Sequence, residues 1–346
     1  MSEWPTGRMP ALVVEPGRIE QVEVDVPAAQ SGHVLVEVSY LGICGTDVEL
    51  LHDRSYYIDR GLASYPVRFG HEWTGIVVAV ADDVVSVNPG DAVIGQTVIT
   101  CGACPACQRG NRTGCENHLE VGLLGHDGAA AQYISMPASA VTRLPEGVSL
   151  RDAVLIEPGV TAMSGIWKTR LAFDDHVVVI GTGTLGLLAV AFALRITKNV
   201  DVVGVEEAGL ELARRLGARR TLHPDELAEN AYTVALEASG QPSSVALLGT
   251  VLQPGGRAAL IGVVNRGVPD FIPALVTLKD ISLFGVLHGL DHYGRVAGII
   301  GDAFDADALI DRVLPWTEAA EAFRLLADRE LVRPKIMLDL TTMRRS

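Results

Sequence analysis

The chain has 346 residues, and its 28 Lys and Arg against 42 Asp and Glu give a formal net charge of −14. A chain of this length can form two domains, each with its own core. The negative charge disfavours nucleic acids and anionic membranes as partners, because both repel an acidic surface, and favours small molecules. The longest apolar run, 187–194, is too short to span a bilayer, and the N-terminus lacks a secretory signal pattern. We therefore expect a cytoplasmic protein.

The first half of the chain predicts a β-rich domain. Short β-branched runs at 34–38, 75–80 and 92–99 alternate with Gly, Pro and Asp as far as about Leu150. From Val154 the pattern changes to strands that alternate with helices, which indicates a doubly wound parallel α/β sheet. The predicted strands cover 176–180, 201–205, 233–237, 257–263 and 281–286, with helices over 185–195 and 316–326.

The sequence GTGTLG at 181–186 predicts a dinucleotide site. Gly181 allows a tight turn, Gly183 lets backbone approach a pyrophosphate, and Gly186 lets the helix pack on the strand. Thr184 and Leu185 open the helix whose N-terminus attracts the phosphates. Glu206, 20 residues beyond Gly186, is placed to bind the adenosine ribose. Because Glu207 follows it, a ribose phosphate would meet two negative charges, and we expect NAD rather than NADP as cofactor.

The five cysteines indicate metal sites, since a reducing compartment disfavours disulfides. Cys101, Cys104, Cys107 and Cys115 can fill a tetrahedron around one structural zinc within a glycine-rich loop, 101–115. Free thiols or disulfides are the alternative for these four. Cys44 and the pair His71-Glu72 are candidates for a second ion, although a lone cysteine or histidine is more often part of a core.

These motifs resemble the zinc-dependent medium-chain alcohol and polyol dehydrogenases, which include sorbitol, threonine and glucose dehydrogenases. The resemblance covers nearly the whole chain. It implies a GroES-like catalytic domain over 1–153 and 290–346, a Rossmann NAD-binding domain over 154–289, and a homodimer or homotetramer joined near 281–286. The matching segments are GICGTD around Cys44, GHEWTG around His71, the four-cysteine loop, DGAAAQY from Asp127, Glu157-Pro158 and GTGTLG.

The resemblance also implies roles for individual residues near a catalytic zinc. Cys44 and His71 would bind this ion together with Glu157, whereas Glu72 would bind it directly or wait behind it, so the bound carboxylate stays open. Asp47 would orient the metal-binding imidazole. Two zinc ions per chain, one catalytic and one structural, are therefore expected.

Further residues are implied in proton transfer and in cofactor binding. Thr46 matches a hydroxyl relay, and Glu49 stands where many members have histidine, with His52 nearby; the terminal base stays open. Thr161 and the segment Ile261, Gly262 and Val263 resemble the surroundings of the nicotinamide, although ordinary packing is the alternative. A final set of side chains belongs either to the substrate pocket or to the core: Tyr56, Tyr57, Trp73 and His126.

The leading hypothesis is an NAD-dependent zinc dehydrogenase that oxidises a secondary alcohol of a polyol, sugar or aminocyclitol-like compound. Glu157 in place of a cysteine ligand favours the polyol and sugar members over simple alcohol dehydrogenases. Two alternatives stay open. One is a catalytically silent sensor that binds zinc and NAD, and the other is a metal-free quinone reductase of the same fold.

Overall fold

The computed structural model describes residues 4–264, 267–302 and 304–343. Residues 1–3, 303 and 344–346 of the predicted catalytic segments lie outside these ranges. The strands, in chain order, are β1 (Arg8–Glu15), β2 (Arg18–Asp25), β3 (His33–Gly42), β4 (Glu72–Val80), β5 (Ala92–Gly95), β6 (Val98–Ile99), β7 (Leu119–Val121), β8 (Gly125–His126), β9 (Tyr133–Pro137), β10 (Val141–Arg143), β11 (Val177–Ile180), β12 (Val200–Val203), β13 (Arg220–Leu222), β14 (Tyr232–Glu237), β15 (Leu252–Leu260), β16 (Ser282–Gly285), β17 (Ile310–Pro315) and β18 (Lys335–Asp339).

The helices lie mostly in the second half of the chain. In order, they are α1 (Gly45–Leu51), α2 (Tyr56–Asp59), α3 (Pro105–Gln108), α4 (Leu150–Ala153), α5 (Ile156–Lys168), α6 (Thr184–Ala193), α7 (Glu207–Leu216), α8 (Pro242–Val251), α9 (Pro273–Leu278), α10 (Tyr293–Gly301) and α11 (Ala319–Ala327). No helix within the described ranges combines the length and the apolar character needed to cross a bilayer.

The first half of the chain forms a β-rich domain around a mostly antiparallel sheet. Its strand order is β10-β5-β4-β3-β18-β17, and β9 also pairs with β3. The last two strands come from the C-terminal segment, where β18 runs antiparallel to β3 with Met337 opposite Gly42. The predicted strands at 34–38 and 75–80 are confirmed as parts of β3 and β4.

The predicted strand over 92–99 breaks into two short strands. β5 pairs with β4 and β10, whereas β6 leaves that sheet and pairs with β7. The break follows Gly95, which lies against the ring of Trp73 so closely that a Cβ at this position would overlap the indole. The segment between β5 and β6 places Thr97 at the junction of the two domains, where it contacts Glu157 and Tyr293.

The second half forms a parallel-sheet domain, as the alternation of strands and helices predicted. Among the described residues, its six strands are all parallel in the order β13-β12-β11-β14-β15-β16. This is the 3-2-1-4-5-6 order of a dinucleotide-binding fold, in which ligands bind where the strand order reverses, at the carboxyl ends of the strands. Each residue of β11 is buried, which explains its continuous run of valine and isoleucine.

The two domains share a continuous apolar junction. One cluster of buried side chains includes Ile94 and Met337 of the β-rich sheet together with Val177 of β11 and Leu187 of α6. Helix α5 passes through this junction and packs on α6 and α10. A side chain at the start of α5 therefore lies between the domains, and Glu157 is the second residue of that helix.

Candidate active site and zinc centres

Strands β3 and β4 and helix α1 bring three candidate metal ligands together. The strands are antiparallel with Gly42 opposite Glu72, so Cys44, just beyond β3, and His71, just before β4, stand at the same end of the sheet. The Sγ of Cys44, a ring nitrogen of His71 and a carboxylate oxygen of Glu72 all lie within 4.8 Å of one another. Glycine is required at position 42, because a Cβ there would overlap the Glu72 carboxylate.

Asp47, in the first turn of α1, lies behind His71. Its Oδ1 is 3.8 Å from Nδ1 of His71, and its Oδ2 accepts a hydrogen bond of 2.9 Å from the backbone N–H of Cys44. These facing Nδ1 and Oδ1 atoms are buried and have no hydrogen-bond partner in the described part of the chain. Burial lowers the pKa of His71, but Asp47, Cys44 and Glu157 together outweigh burial and raise that pKa well above its ordinary value.

The surroundings of this cluster fit a metal ion. The electrostatic environment of His71 favours positive charge, and with Nδ1 facing Asp47 the opposite ring nitrogen is left as the metal-binding atom. Thiolate, imidazole and carboxylate are the ligands that zinc takes in catalytic sites. Cys44, His71 and Glu72 therefore form a suitable donor set for zinc.

Glu157 approaches this cluster from helix α5. Thr97 Oγ1 donates a hydrogen bond to its Oε1. Within the described residues, Glu157 lies outside the group of mutually close ligand atoms. Burial, reinforced by Glu72, raises the pKa of Glu157 to about 7, although His71 acts in the opposite direction. A carboxyl group with this pKa ionises readily when a cation arrives, so Glu157 suits an exchangeable ligand position.

A buried lysine that the sequence interpretation missed binds Glu72. Lys335, the first residue of β18, places Nζ 2.5 Å from Glu72 Oε2 and 3.1 Å from the carbonyl oxygen of Ile43. Burial lowers the pKa of Lys335, but Glu72, with Cys44 and Glu157, outweighs burial and raises that pKa above its ordinary value, so the ammonium stays charged. The sequence does contain a hint of this buried charge, because the lysine begins the otherwise apolar run KIML.

The three predicted relay residues lie at different depths along α1. The hydroxyl of Thr46 is 3.9 Å from the Sγ of Cys44, so Thr46 lies beside the ligand cluster. Glu49 is half-buried one turn further on. His52 caps the C-terminal end of the helix, is exposed, and accepts a hydrogen bond of 2.7 Å from Arg54 at Nδ1. The helix thus leads from the cluster to the surface.

The four aromatic residues considered for the substrate pocket have different surroundings. Trp73 is fully buried and belongs to the core of the β-rich domain. Tyr57 donates a hydrogen bond of 2.6 Å to Oε2 of Glu120, and burial raises the pKa of this phenol. Tyr56 is half-exposed, and His126 lies with its ring nitrogens against two backbone carbonyls.

The four-cysteine loop brings its sulfur atoms together. All four lie within 4.8 Å of one another, and helix α3 begins directly after Cys104. Backbone N–H groups donate to the Sγ atoms of Cys101 at 3.3 Å and Cys115 at 3.4 Å. Backbone hydrogen bonds from Cys107 and Glu116 lower the pKa of Cys104 to about 6, whereas desolvation raises that of Cys107 to about 12.

This loop has very little apolar core of its own. Its buried cluster consists of Cys104, Ala106 and Cys115, with Cys107 packed against them. Four thiolates fill a tetrahedral zinc site completely, and zinc binding to such a site stabilises the fold directly. The loop therefore fits a structural zinc ion that replaces the missing core.

The glycine loop follows β11 in the geometry that a pyrophosphate requires. Gly181 has φ of +114°, and a Cβ there would come within 2.9 Å of the Ser239 backbone. A Cβ on Gly186 would overlap the carbonyl oxygen of Gly181, which shows how closely α6 packs on the turn. By contrast, a Cβ on Gly183 would meet nothing within 4 Å. Open space lies where a phosphate is expected, directly before helix α6.

The residues predicted near the nicotinamide lie at the junction of the domains. Thr161 is half-buried on α5, four residues after Glu157. The segment from Ile261 follows the end of β15 rather than lying within it, so the predicted strand ends three residues early. Ile261 is 2% exposed, whereas Val263 is 80% exposed beyond the edge of the sheet.

Sequence comparison places the chain in a known family. Residues 30–146 match the alcohol dehydrogenase GroES-like domain, and residues 184–299 match the zinc-binding dehydrogenase family. An L-threonine 3-dehydrogenase from Streptomyces avermitilis is 33% identical over 350 residues, covering 89% of this chain and 100% of the relative. The chain belongs to the zinc-dependent medium-chain dehydrogenase/reductase family. It is an oxidoreductase of the zinc-type alcohol dehydrogenase class.

Solved structures of this family share the fold over nearly the whole chain. A short chain alcohol dehydrogenase from Escherichia coli CFT073, complexed with NADH, is 26% identical with a TM-score of 0.87. A zinc-binding dehydrogenase from Sinorhizobium meliloti 1021, bound to NADP, has the same identity and TM-score. Each comparison covers 96% of this chain and 99% of the other chain. Both nicotinamide cofactors therefore occur among similar members.

In this dehydrogenase, a polar network that the sequence did not reveal links the ligand cluster to Thr161. The backbone N–H of Thr97 lies 3.2 Å from the hydroxyl oxygen of Tyr293, which is 3.0 Å from Nε2 of His288. Nδ1 of His288 is 3.3 Å from Oγ1 of Thr161. Burial, with a contribution from His71, lowers the pKa of His288 to about 3, so the ring is neutral.

His288 links Tyr293 to Thr161 through its two ring nitrogens. The Tyr293 oxygen accepts a hydrogen bond from the backbone N–H of Thr97. Since a neutral imidazole carries one N–H, His288 donates at one of its two contacts and accepts at the other. No short motif marks His288 or Tyr293 in the sequence, because both act through partners that are distant in the chain.

Glu206 lies beyond the end of the second strand of the parallel sheet. β12 ends at Val203, Gly204 follows directly, and Glu206 immediately precedes helix α7. The Glu206 carboxylate accepts a hydrogen bond of 3.0 Å from Arg329, and Glu207 is paired with Arg214 at 2.7 Å. Each of the two acids that were expected to repel a ribose phosphate therefore already has a cationic partner.

Proposed function

We propose that this chain catalyses reversible hydride transfer between a secondary alcohol and NAD, using one catalytic and one structural zinc ion. The observation that carries the proposal is the cluster of Cys44, His71 and Glu72 at the domain junction, beside Glu157 and Thr161. The open glycine loop at Gly183 supports a dinucleotide in the same molecule.

We also propose domain boundaries at 153/154 and 289/290, supported by the return of β17 and β18 to the β-rich sheet.

The residues that would hold the catalytic zinc are Cys44, His71 and either Glu72 or Glu157, and the four cysteines of the loop 101–115 would hold the structural zinc. When bound, zinc supplies a Lewis acid that makes an alcohol proton acidic near neutral pH, as it lowers the pKa of bound water from ~15.7 to ~7. Asp47 keeps the imidazole of His71 oriented for this role.

The chain's own groups account for proton transfer and positioning. Thr46, which lies beside Cys44, accepts the alcohol proton at its hydroxyl oxygen and passes its own hydroxyl proton on towards solvent. Glu49 and the exposed His52 continue along α1 to solvent. Thr161, held by His288, positions the nicotinamide with Ile261, Gly262 and Val263. Glu157 supplies negative charge where the substrate oxygen loses its proton, with Thr97 holding its Oε1.

We propose a polyol, sugar or aminocyclitol-like compound as the substrate. Glu157, a carboxylate rather than a thiolate, supports a hydroxyl-rich substrate, and similar proteins named L-threonine 3-dehydrogenase support an amino alcohol. Reduction of NAD should be screened over polyols, aldoses, amino alcohols and aminocyclitols. A preference for simple primary alcohols would contradict this substrate class.

The proposed activity is tested by replacing Cys44 with serine. We expect the variant to lose turnover and the catalytic zinc, while it keeps its affinity for NAD and its structural zinc. Cys107→Ser is the matched control, and it should lose the structural zinc and destabilise the loop. A wild-type protein that binds zinc and NAD without turning over any alcohol would instead be a sensor. Quinone reduction that survives chelation would indicate a metal-free quinone reductase.

We propose a homodimer or homotetramer that forms through β16. In the described part of the chain, β16 is the last strand of the parallel sheet and has no neighbour on its outer edge. Leu278 is 82% exposed and Leu287 is 54% exposed on either side of this strand. Sedimentation analysis of wild type and Leu278→Asp should show a loss of mass in the variant. A monomeric wild type would contradict the assembly.

A further inference from the structure

The residue that directly follows β12, the second strand of the dinucleotide fold, is a glycine with little room for a side chain. This residue is Gly204, and a Cβ on it would lie 2.7 Å from Cγ2 of Thr182. Gly209 also lies against Thr182 so closely that a Cβ would overlap the hydroxyl. The side chain of Thr182 therefore fills the space beside Gly204 and Gly209, and the acid at the expected spacing, Glu206, stands two residues further on.

The nearest acid beyond this position, Glu206, is held by a residue of the other domain. Arg329 lies between α11 and β18 and donates a hydrogen bond of 3.0 Å to Oε1 of Glu206. Its backbone has φ of +56°, an uncommon conformation for a residue other than glycine. Close by in sequence, the carbonyl of Pro334 accepts a hydrogen bond of 3.2 Å from Thr184, at the start of α6. The segment 329–334 thus borders both the glycine loop and the ribose position.

The charges at this position are arranged unlike those of a simple acidic ribose site. Glu207 is neutralised within its own helix by Arg214. Among the described residues, Glu206 is the ion-pair partner of Arg329, and both side chains are more than half exposed. Because the Arg329 side chain is 72% exposed, it has room to turn from Glu206 to another anion nearby. Its guanidinium has the geometry that binds phosphate in a bidentate manner.

We propose that Arg329, which reaches Glu206 from the other domain, is the residue that adjusts the choice between NAD and NADP at the adenosine ribose. Glu206 accepts hydrogen bonds from the ribose hydroxyls of NAD, while Arg329 holds the carboxylate in place. When a 2′-phosphate replaces the hydroxyl, Arg329 turns to the phosphate. The ratio of NADP use to NAD use therefore depends on two residues with opposite effects. This inference rests on the proposed function only because it requires a nicotinamide dinucleotide as cofactor.

The test compares wild type with Glu206→Gln and Arg329→Ala, and Glu207→Gln is the matched control. Glu207→Gln removes the same negative charge one residue away, but Glu207 is paired with Arg214 of its own helix and not with Arg329. We expect Glu206→Gln to raise the ratio of kcat/KM for NADP over NAD by about tenfold, the size of one charge-assisted hydrogen bond. Arg329→Ala should lower that ratio by about tenfold for the same reason, whereas Glu207→Gln should leave it near the wild-type value.

A binding measurement makes the test independent of turnover. Calorimetric titration with 5′-AMP and with adenosine 2′,5′-bisphosphate reports the same discrimination through the 2′-phosphate alone. Arg329→Ala should weaken the bisphosphate selectively. Variants that bind and use both nucleotides in the wild-type ratio would overturn this inference, as would equal loss of both. A wild type that binds neither nucleotide and shows no turnover would instead overturn the proposed function.

Discussion

Replacing Lys335 by methionine tests the buried charge pair beneath the candidate metal site. Lys335 and Glu72 are each 2% exposed, and their charged atoms are 2.5 Å apart. In the metal-free protein, methionine keeps much of the aliphatic stem but leaves the carboxylate without its cation. Removing one partner of a buried ion pair costs about 3–5 kcal/mol. We expect the free energy of unfolding to fall by that amount.

The measurement is urea denaturation of metal-free protein followed by circular dichroism. The double variant Lys335→Met with Glu72→Gln should recover most of the loss, because no unpaired charge remains buried. Zinc should reduce the loss in the single variant, since a metal ion also compensates Glu72. The control Lys198→Met, at an exposed position, should change stability by less than about 0.5 kcal/mol. A metal-free Lys335→Met protein with wild-type stability would refute the reasoning.

Three further predictions follow from the site. Burial raises the pKa of Glu157 from 4.5 to about 7, so metal-free wild type should lose on the order of 3 kcal/mol as pH rises from 4.5 through 7. Glu157→Gln should lack this loss in urea titrations at several pH values. Cys104→Ser should increase hydrogen exchange in the loop 101–115 without changing NAD affinity, because the loop lacks a core. Gly183→Ala should fold normally but bind NAD weakly, whereas Gly186→Ala should lower the melting temperature, because only the second overlaps protein backbone.

A different result would contradict each of these three predictions. A metal-free Glu157→Gln variant with the same pH dependence as wild type would assign the titration to another group. Unchanged exchange in the Cys104→Ser loop would show that the loop is stable without metal. Equal effects of alanine at positions 183 and 186 on folding and on NAD binding would mean that the two glycines do not have separate roles.

The sequence predicted those parts of the fold whose signals are local. The run VVVI before GTGTLG defines a buried parallel strand because each residue packs on both faces of the sheet, and β11 confirms it. The prediction over 92–99 was wrong in its continuity. Its residues favour strand throughout, but the chain leaves the sheet directly after Gly95, which is in close contact with the ring of Trp73. That contact joins residues more than twenty positions apart and is invisible to a local pattern.

In the candidate site too, the sequence predicted the residues that local motifs mark and missed those whose role depends on distant partners. Cys44, His71 and Glu72 could be identified because short motifs surround them, and the pairing of β3 with β4 brings the motifs together. Lys335 and His288 could not, because their chemistry depends on burial beside a partner far away in the chain. A lysine in an apolar strand is a weak local signal until its carboxylate partner is known.

The interdomain contacts matter to this enzyme through geometry more than through stability. Exposed ion pairs such as Arg329 with Glu206 contribute about 0–1 kcal/mol to folding. Yet a misplacement of about 1 Å between reacting groups can cost roughly a hundredfold in rate. The ligand cluster belongs to the β-rich domain and the glycine loop to the parallel-sheet domain, so in the proposed reaction contacts across the junction would set the distance between alcohol and nicotinamide. The buried chain from Thr97 through Tyr293 and His288 to Thr161 is therefore where small substitutions should affect turnover before they affect stability.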